Sequence, residues 1–461
     1  QTGCPKNYFM LLEKDIQTKT TSQKCLDHTL FPWSKQQDLS PMEVVSANGN
    51  YFTDIEGKTF LDFSSQLVNM NFGHNHPKMK DAVVNQMNNF SFIFPGAATK
   101  TKAELGEHLS RIAPKNLNKV FYTLSGAEAN ENAIKIARIY SGKSKIITLY
   151  QSYHGATYGA ISAGGDPRRH PIENSSMPNI VRVENPSSYR CPWGTSSEDE
   201  CCDKALEHLE RVIQYEGPEN IAAMLLEGES GTSGCIKYPK NYWKGVIALS
   251  KKYKFLTISD EVMSGFGRTG EWFAVQYHGV NPDMITMAKG LTGGYLPLGG
   301  ILVDDAIASH FQTNNLPLGL TNAAHPLCLA AAKQALEIYE EENLLNRAKQ
   351  AGNYLHEKLL KLQSRHKCLG DIRLTGLLGC LELVKNKTTK EPMAPFNATA
   401  DEMVEMNMVK NILLENGIFT LVRWNFIFVA PPLTITEEEI DIATEAISKS
   451  LTLADEYCHQ Q

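Results

Sequence analysis

From about residue 78 to residue 315 the chain alternates helical patterns with short apolar runs. The runs fall at 120–124, 145–150, 221–226, 255–259, 284–288 and 300–303, and amphipathic stretches such as 241–252 lie between them. This rhythm is the strongest constraint on the fold. Strands too apolar to face water on either side, joined by helices, predict an α/β domain with a mostly parallel sheet covered on both faces. Such a sheet takes its ligands at the carboxyl ends of its strands. The chemistry is therefore to be sought in the residues that follow each run.

Those residues are unusual. Lys289 ends the run 284–288 and precedes a glycine-rich loop. Apolar walls disfavour an ammonium ion, so the lysine pKa should fall. That suits an amine nucleophile that forms a Schiff base. Taken alone, a surface lysine closing a strand is the plainer reading. Ser125-Gly126-Ala127 links a strand to a helix, which makes either an anion site at the helix N-terminus or a simple serine cap. Tyr153-His154-Gly155 follows another run. A tyrosine there can stack on a flat ligand, with glycine admitting close approach, or serve as a rim aromatic. Asp260-Glu261 follows the run 255–259, and Glu227 follows 221–226. A carboxylate at the end of a buried strand is costly without a partner. A protonated ring nitrogen is one partner, and a helix or loop cap is another. A Schiff-base lysine, an acid for a pyridinium nitrogen and a phosphate cup together specify pyridoxal 5'-phosphate (PLP).

The flanks are of another kind. Residues 1–40 predict an irregular arm with one helical piece. Val44-Val45 and Tyr51-Phe52 predict a strand pair turning at Asn48-Gly49, and 59–63 extends it. GHNHP at 73–77 predicts loop histidines with satisfied partners. After 320 come a long helical region, 371–383, a polar loop at 385–400 and a strand at 426–430. Thr436 and Glu439 predict a capping box opening an amphipathic last helix. The expected organisation is 1–75 as N-terminal arm and part of a small α+β domain, 76–320 as the large PLP-binding domain, and 321–461 as linking helix and C-terminal small domain.

A net charge of -6 offers no footprint for nucleic acid, and no apolar run approaches the length of a membrane span. Ten cysteines in irregular positions predict free thiols in a reducing compartment, and no metal site. The expected location is cytoplasmic, or mitochondrial if a targeting segment has been removed.

At these residues the sequence resembles the class III, omega-amino-acid type aminotransferases of PLP fold type I. The matching stretches are SGAEANENAIKIAR at 125–138, YHGAT at 153–157, SDEVMSGFGRTG at 259–270, MAKGLTGGYLPLGG at 287–300, GLTNAAHP at 319–326 and APPL at 430–433. The resemblance implies Lys289 as the Schiff-base lysine and Asp260 as the partner of the pyridine nitrogen. It implies Tyr153 and Val262 on the two ring faces, with His154 beside them, and Ser125, Gly126 and Ala127 as the phosphate cup. Glu227 resembles the glutamate that closes the site. Thr321 resembles the threonine that reaches the phosphate of the other subunit, which implies a homodimer with the site at its interface. Met263 stands where many members have glutamine. Arg423 resembles an arginine that binds the substrate carboxylate, and Val68 replaces a bulky aromatic of several relatives. RWNF together with FSSQLVN is similar to a subgroup that includes taurine:pyruvate aminotransferases.

The implied activity is transfer of an amino group from an omega-amino acid or related amine to a 2-oxo acid, pyruvate being the expected acceptor. Other PLP reactions on the same fold share these residues: racemisation, decarboxylation, aminomutation and phospho-lyase chemistry. A non-catalytic PLP-fold protein would require losing Lys289 or Asp260. A nicotinamide oxidoreductase would require a GxGxxG after the first alternating strand, and none is there.

Overall fold

The computed structural model describes residues 19–459. The helix Thr21–His28 supplies the helical piece of the arm, while the start of the arm, 1–18, lies outside the described residues. Next comes an antiparallel meander of β1 (Val44–Asn48), β2 (Tyr51–Asp54) and β3 (Thr59–Asp62). Asn48 pairs with Tyr51, so the turn is Gly49-Asn50, one residue later than expected. The reason is a reciprocal bridge: Gly49 and His74 exchange backbone hydrogen bonds of 3.0 and 2.7 Å. Gly73 must be glycine there, because a Cβ would lie 2.6 Å from the Gly49 oxygen. The two loop histidines have partners, Asp62 for His74 at 3.3 Å and Glu342 for His76 at 2.9 Å.

The central sheet holds β4 (Leu117–Thr123), β5 (Lys145–Leu149), β6 (Ile180–Val183), β7 (Ile221–Glu227), β8 (Leu256–Asp260), β9 (Met284–Met287) and β10 (Gly299–Asp304). Their order is β4-β10-β9-β8-β7-β5-β6. All pair in parallel except β10, which is antiparallel to both β4 and β9. Every residue of β7 and of β9 is buried, as a strand covered on both faces must be. Each fully buried Leu or Ile contributes about 1.5–3 kcal/mol to holding the layers together. The six expected strands are present. The seventh, β6, went unpredicted: it is a four-residue edge strand whose apolar residues are interrupted by Arg182, and only Val183 is buried.

The last part of the chain forms β11 (Leu369–Thr375), β12 (Leu378–Asn386) and β13 (Glu391–Pro392), followed by β14 (Ile418–Phe419), β15 (Val422–Arg423) and β16 (Phe426–Val429). β11, β12, β16 and β15 make an antiparallel sheet, with β13 against β12. β14 instead pairs in parallel with β3, so both ends of the chain enter one sheet. Thr436 and Glu439 form the expected capping box, and Glu439 also accepts a 2.8 Å hydrogen bond from Asn50.

One buried side chain ties these parts together at the site. Arg268 has no exposed surface, and its guanidinium donates to Asn71 Oδ1 at 2.7 Å, Ala430 O at 3.1 Å and Pro431 O at 2.5 Å. Burial among neutral acceptors lowers its pKa to about 10. Among the described residues no helix is long and apolar enough to cross a membrane.

Candidate active site

The carboxyl ends of β4, β5, β7, β8 and β9 open into one cavity of about 940 Å³. Lys289 lines it, in the left-handed region at φ 41°. A non-glycine residue held there stores backbone strain, which folds tolerate mainly at functional positions. The following Gly290 has no alternative, since a Cβ would lie 2.5 Å from Asn71 Nδ2 and 2.8 Å from Phe266 Cβ. Lys289 is half-buried. Dense protein around the amine lowers its pKa to about 8, against the upward pull of the Asp260 and Glu227 charges. This is the direction expected from its apolar strand.

The acidic pair after β8 divides its work. Glu261 points away from the cavity and accepts from Ser264 Oγ at 2.5 Å, Ala274 N at 3.0 Å and Val275 N at 2.9 Å. It is the helix cap that one reading of the pair predicted. Asp260 lines the cavity. Its Oδ2 accepts from Asn130 Nδ2 at 2.7 Å and lies 2.8 Å from His154 Nδ1, and its Oδ1 accepts from Val262 N at 3.0 Å. Asn130 is itself fixed, donating to His154 O at 2.8 Å and accepting from Thr286 Oγ1 at 2.6 Å. Hydrogen bonds to an ionised carboxylate are about twice as strong as neutral ones. Glu227 is buried nearby, and burial followed by the Asp260 charge raises its carboxyl pKa well above the usual range.

Opposite, Ser125 caps the helix Gly126–Ser141 by accepting from Glu128 N at 3.2 Å. The N–H groups of that first turn have no intrahelical acceptor. The turn sits tightly against the other strand ends. A Cβ on Gly126 would lie 2.7 Å from both Val262 methyls, and one on Gly155 would lie 2.3 Å from Ala127 Cβ. Ser125, Gly126, Ala127, Tyr153, His154 and Val262 all line the cavity.

The walls also include Val68, Met263, Trp33 and two arginines. Val68 is buried at φ 60°, in a segment whose Ser65 and Gln66 also have positive φ. That segment is pinned by Ser65 Oγ donating to Ala430 O at 2.7 Å and by Gln66 N donating to Asp62 Oδ1 at 2.8 Å. Arg423 donates to Thr232 O at 3.0 Å and to Asp166 Oδ2 at 2.7 Å. Arg168 chelates the same Asp166 through Nε at 2.8 Å and Nη2 at 3.1 Å, and lies 3.9 Å over the Tyr153 ring. Thr321 is exposed and is not in the wall of this chain's cavity.

Residues 33–451 match the family model described as Aminotransferase class-III. The chain belongs to the class III aminotransferases. It is 34% identical over 428 residues to the putrescine–pyruvate aminotransferase of Pseudomonas aeruginosa, covering 90% of this chain and 92% of that protein. It is also 34% identical over 450 residues to the adenosylmethionine-8-amino-7-oxononanoate aminotransferase of Methanocaldococcus jannaschii, covering 93% and 96%. Among solved structures it is similar to the taurine:2-oxoglutarate aminotransferase of Bifidobacterium kashiwanohense in complex with PLP and glutamate. That likeness has a TM-score of 0.91 and 39% identity, over 95% of this chain and 99% of that one. The protein is a PLP-dependent transaminase of fold type I.

The residues present fit that cofactor. His154 Nε2, Glu227 Oε2 and Thr232 Oγ1 are buried with no hydrogen-bond partner, the pattern left when a polar group normally completes a site. Tyr153, Val262, Lys289 and the helix N-terminus at Gly126 all line the one cavity.

The sequence reading missed Asn130, Asp166, Arg168 and Trp33. Asn130 sat inside the matching stretch 125–138 but carried no distinct signal, because a helix-borne asparagine is usually surface. Asp166 and Arg168 lie in GGDPRR, where an acid two residues before an arginine after a double glycine was the available clue.

Proposed function

We propose that the enzyme transfers an amino group from an omega-amino acid or related amine to a 2-oxo acid, pyruvate first among them. The observation that carries this is one cavity whose wall holds Lys289, Asp260 and two arginines. When bound, the cofactor supplies an electron sink that makes a proton on the donor carbon removable. Lys289 Nζ would hold the cofactor and, once freed, would take that proton from the donor carbon and deliver it to the cofactor's reacting carbon within the same half of the exchange. Its depressed pKa puts a neutral amine within reach near neutral pH, as a general base needs. Asp260 holds a proton on the ring nitrogen, and His154, Asn130 and the Val262 N–H hold Asp260. Tyr153 and Val262 cover the ring faces, and Met263 adds an apolar edge. The turn Ser125-Gly126-Ala127 receives the phosphate. Glu227 closes the far wall, Val68 leaves the pocket open, and Arg423 receives the acid group of the substrate.

Thr321 completes the phosphate site of a second copy in a homodimer. Its exposure on the single chain supports this, as does the exposed apolar segment Phe90, Phe92, Ile93 and Phe94. Two units then make up the chain, the large one spanning 76–320 and the small one built from 1–75 and 321–461. The pairing of β14 with β3 supports that division. Nine cysteines are free among the described residues, which fits a reducing compartment such as the cytoplasm.

The test is the cofactor absorption of the holoenzyme mixed with one amine and no oxo acid. β-Alanine, 4-aminobutyrate or taurine is expected to bleach the resting band, and pyruvate to restore it. A band unchanged by every acid-bearing amine would sink the donor assignment.

A further inference from the structure

Three cysteines gather outside the wall of the active-site cavity. Cys191 lies in the segment between β6 and the helix Glu198–Glu216, and Cys201 and Cys202 lie on that helix. Cys191 opens a turn, closed by Gly194 N donating to the Cys191 carbonyl oxygen at 3.1 Å. Pro192 and Gly194 are residues that a four-residue turn favours at its second and fourth places. The turn leads straight into the helix. Ser197 caps that helix by accepting from Glu200 N at 3.2 Å, and Cys201 N donates to Ser197 O at 3.1 Å.

This brings two thiols and a hydroxyl together. Thr195 Oγ1 donates to Cys191 Sγ at 3.0 Å, and the Cys201 thiol also hydrogen-bonds to Cys191. The two cysteines differ in access: Cys191 is half-buried, whereas Cys201 has no exposed surface. They differ in ionisation as well. Burial opposes the Cys191 thiolate, but the hydrogen bonds from Thr195 and Cys201 outweigh it and hold the pKa below the ordinary thiol value. Burial and the bond to Cys191 push Cys201 up to about 12. One thiol is therefore open and readily ionised, and its neighbour is covered and protonated. An attacking thiol and a resolving thiol need those properties. Cys202 takes no part. A helix turns by about 100° per residue, and Cys202 packs into the main apolar core.

We propose that Cys191 is a reactive thiol that accepts small-molecule disulfides and passes the bond to Cys201, closing a Cys191–Cys201 disulfide. The Cys191 thiolate attacks one sulfur of the small disulfide. That S–S bond breaks, and one half leaves as a thiolate. Cys201 then gives up its proton and attacks the Cys191 sulfur, which forms the intrachain bond and releases the second half. Two protein thiols are oxidised, one small disulfide is reduced to two thiols, and the protons of the protein thiols end on the released ones. In a reducing compartment such a bond is transient and responds to the thiol–disulfide balance.

The experiment incubates reduced holoenzyme with oxidised glutathione, quenches in acid, and alkylates the remaining thiols under denaturing conditions. Trypsin and a glutamate-specific protease then separate Cys191 from Cys201, and the peptides are weighed without reduction. The expected product joins Cys191 to Cys201 and leaves Cys202 alkylated. Cys201→Ser should stop at glutathione on Cys191, and Cys191→Ser should abolish both products. Cofactor absorption reports that each variant is folded and loaded, and Cys201→Ala serves if Cys201→Ser is not. Thr195→Val removes a donor from the Cys191 sulfur and should slow modification several-fold. An unchanged rate in that variant overturns the activation of Cys191. A bond that joins Cys202 instead, or no modification of Cys191, overturns the proposal. So does glutathione appearing on the half-buried Cys25 and Cys458 as fast as on Cys191.

Discussion

At the floor of the cavity Asp260 receives three hydrogen bonds, and the Asn130 that supplies one of them is itself held by Thr286. These groups sit at the ends of strands in a sheet covered on both faces, or on a helix packed against it. At the mouth, Asp166 and Arg168 come from a loop after β5, and Arg423 from a strand of two residues. Both arginine side chains keep 25% of their surface exposed. Strands buried on both faces fix an atom closely, which proton transfer requires. A loop can change its residues without disturbing the sheet, which substrate choice requires. The floor and the mouth thus answer to different physical demands, and substitutions should separate them.

The largest effect should come from the floor. Lys289→Ala removes nucleophile and proton carrier together, so turnover should fall at least about a thousandfold in steady-state assays. Next, Asp260→Asn keeps the shape but loses the charge that we assign to the ring nitrogen. Its kcat should drop about a hundredfold while KM for the donor changes little. A fall in KM-dependent terms alone would blur the division between floor and mouth.

A third expectation concerns the cofactor-free protein. Lys289 has a folded pKa near 8, below the 10.5 of an unhindered lysine. Between those values the unfolded chain binds more protons than the folded one, so stability rises with pH across that window. Below about pH 8 the full cost of burying an ammonium is present. Lys289→Met should therefore melt at higher temperature than wild type at pH 7, and the gap should narrow as pH climbs toward 10.5. Thermal melts at several pH values check this, and a gap independent of pH would argue that Lys289 is not desolvated.

The smallest effect belongs to the mouth. Val68→Phe narrows the wall that Val68 leaves open. KM for a bulky amine should rise by about tenfold or less, on the scale of losing one side chain's room in an apolar pocket, while kcat for β-alanine holds. A matching loss of kcat would mean that the mouth controls the floor.

The same contrast explains what the sequence disclosed. Lys289, Asp260 and Glu227 were legible because each interrupts an apolar run, and a charge at the end of a buried strand has few innocent explanations. The central sheet was legible for the same reason, β7 and β9 being apolar throughout. Glu261 was paired with Asp260 in the sequence, but only the geometry separates cap from cavity, since that depends on which strand pleat each side chain leaves. Asp166 and Arg168 were not legible. Their meaning lies in Arg423, far along the chain, and in a stacking contact with Tyr153 that no local pattern encodes. β6 escaped because it is only four residues long and Arg182 interrupts its apolar residues.

The parallel pairing of Leu61 with Ile418 sets an order of events during synthesis. A ribosome releases Leu61 long before Ile418 exists, so β3 waits with one edge open while the whole central sheet is made. Domains that emerge early fold early. The strand ends bearing Ser125, Asp260 and Lys289 can therefore assemble on the nascent chain, whereas Arg423 joins the same cavity only as the last tenth of the chain emerges. A chain arrested just before Ile418 should already protect the central sheet from protease while leaving the first meander open to cleavage. The floor of the cavity is thus made before the segment that carries Arg423.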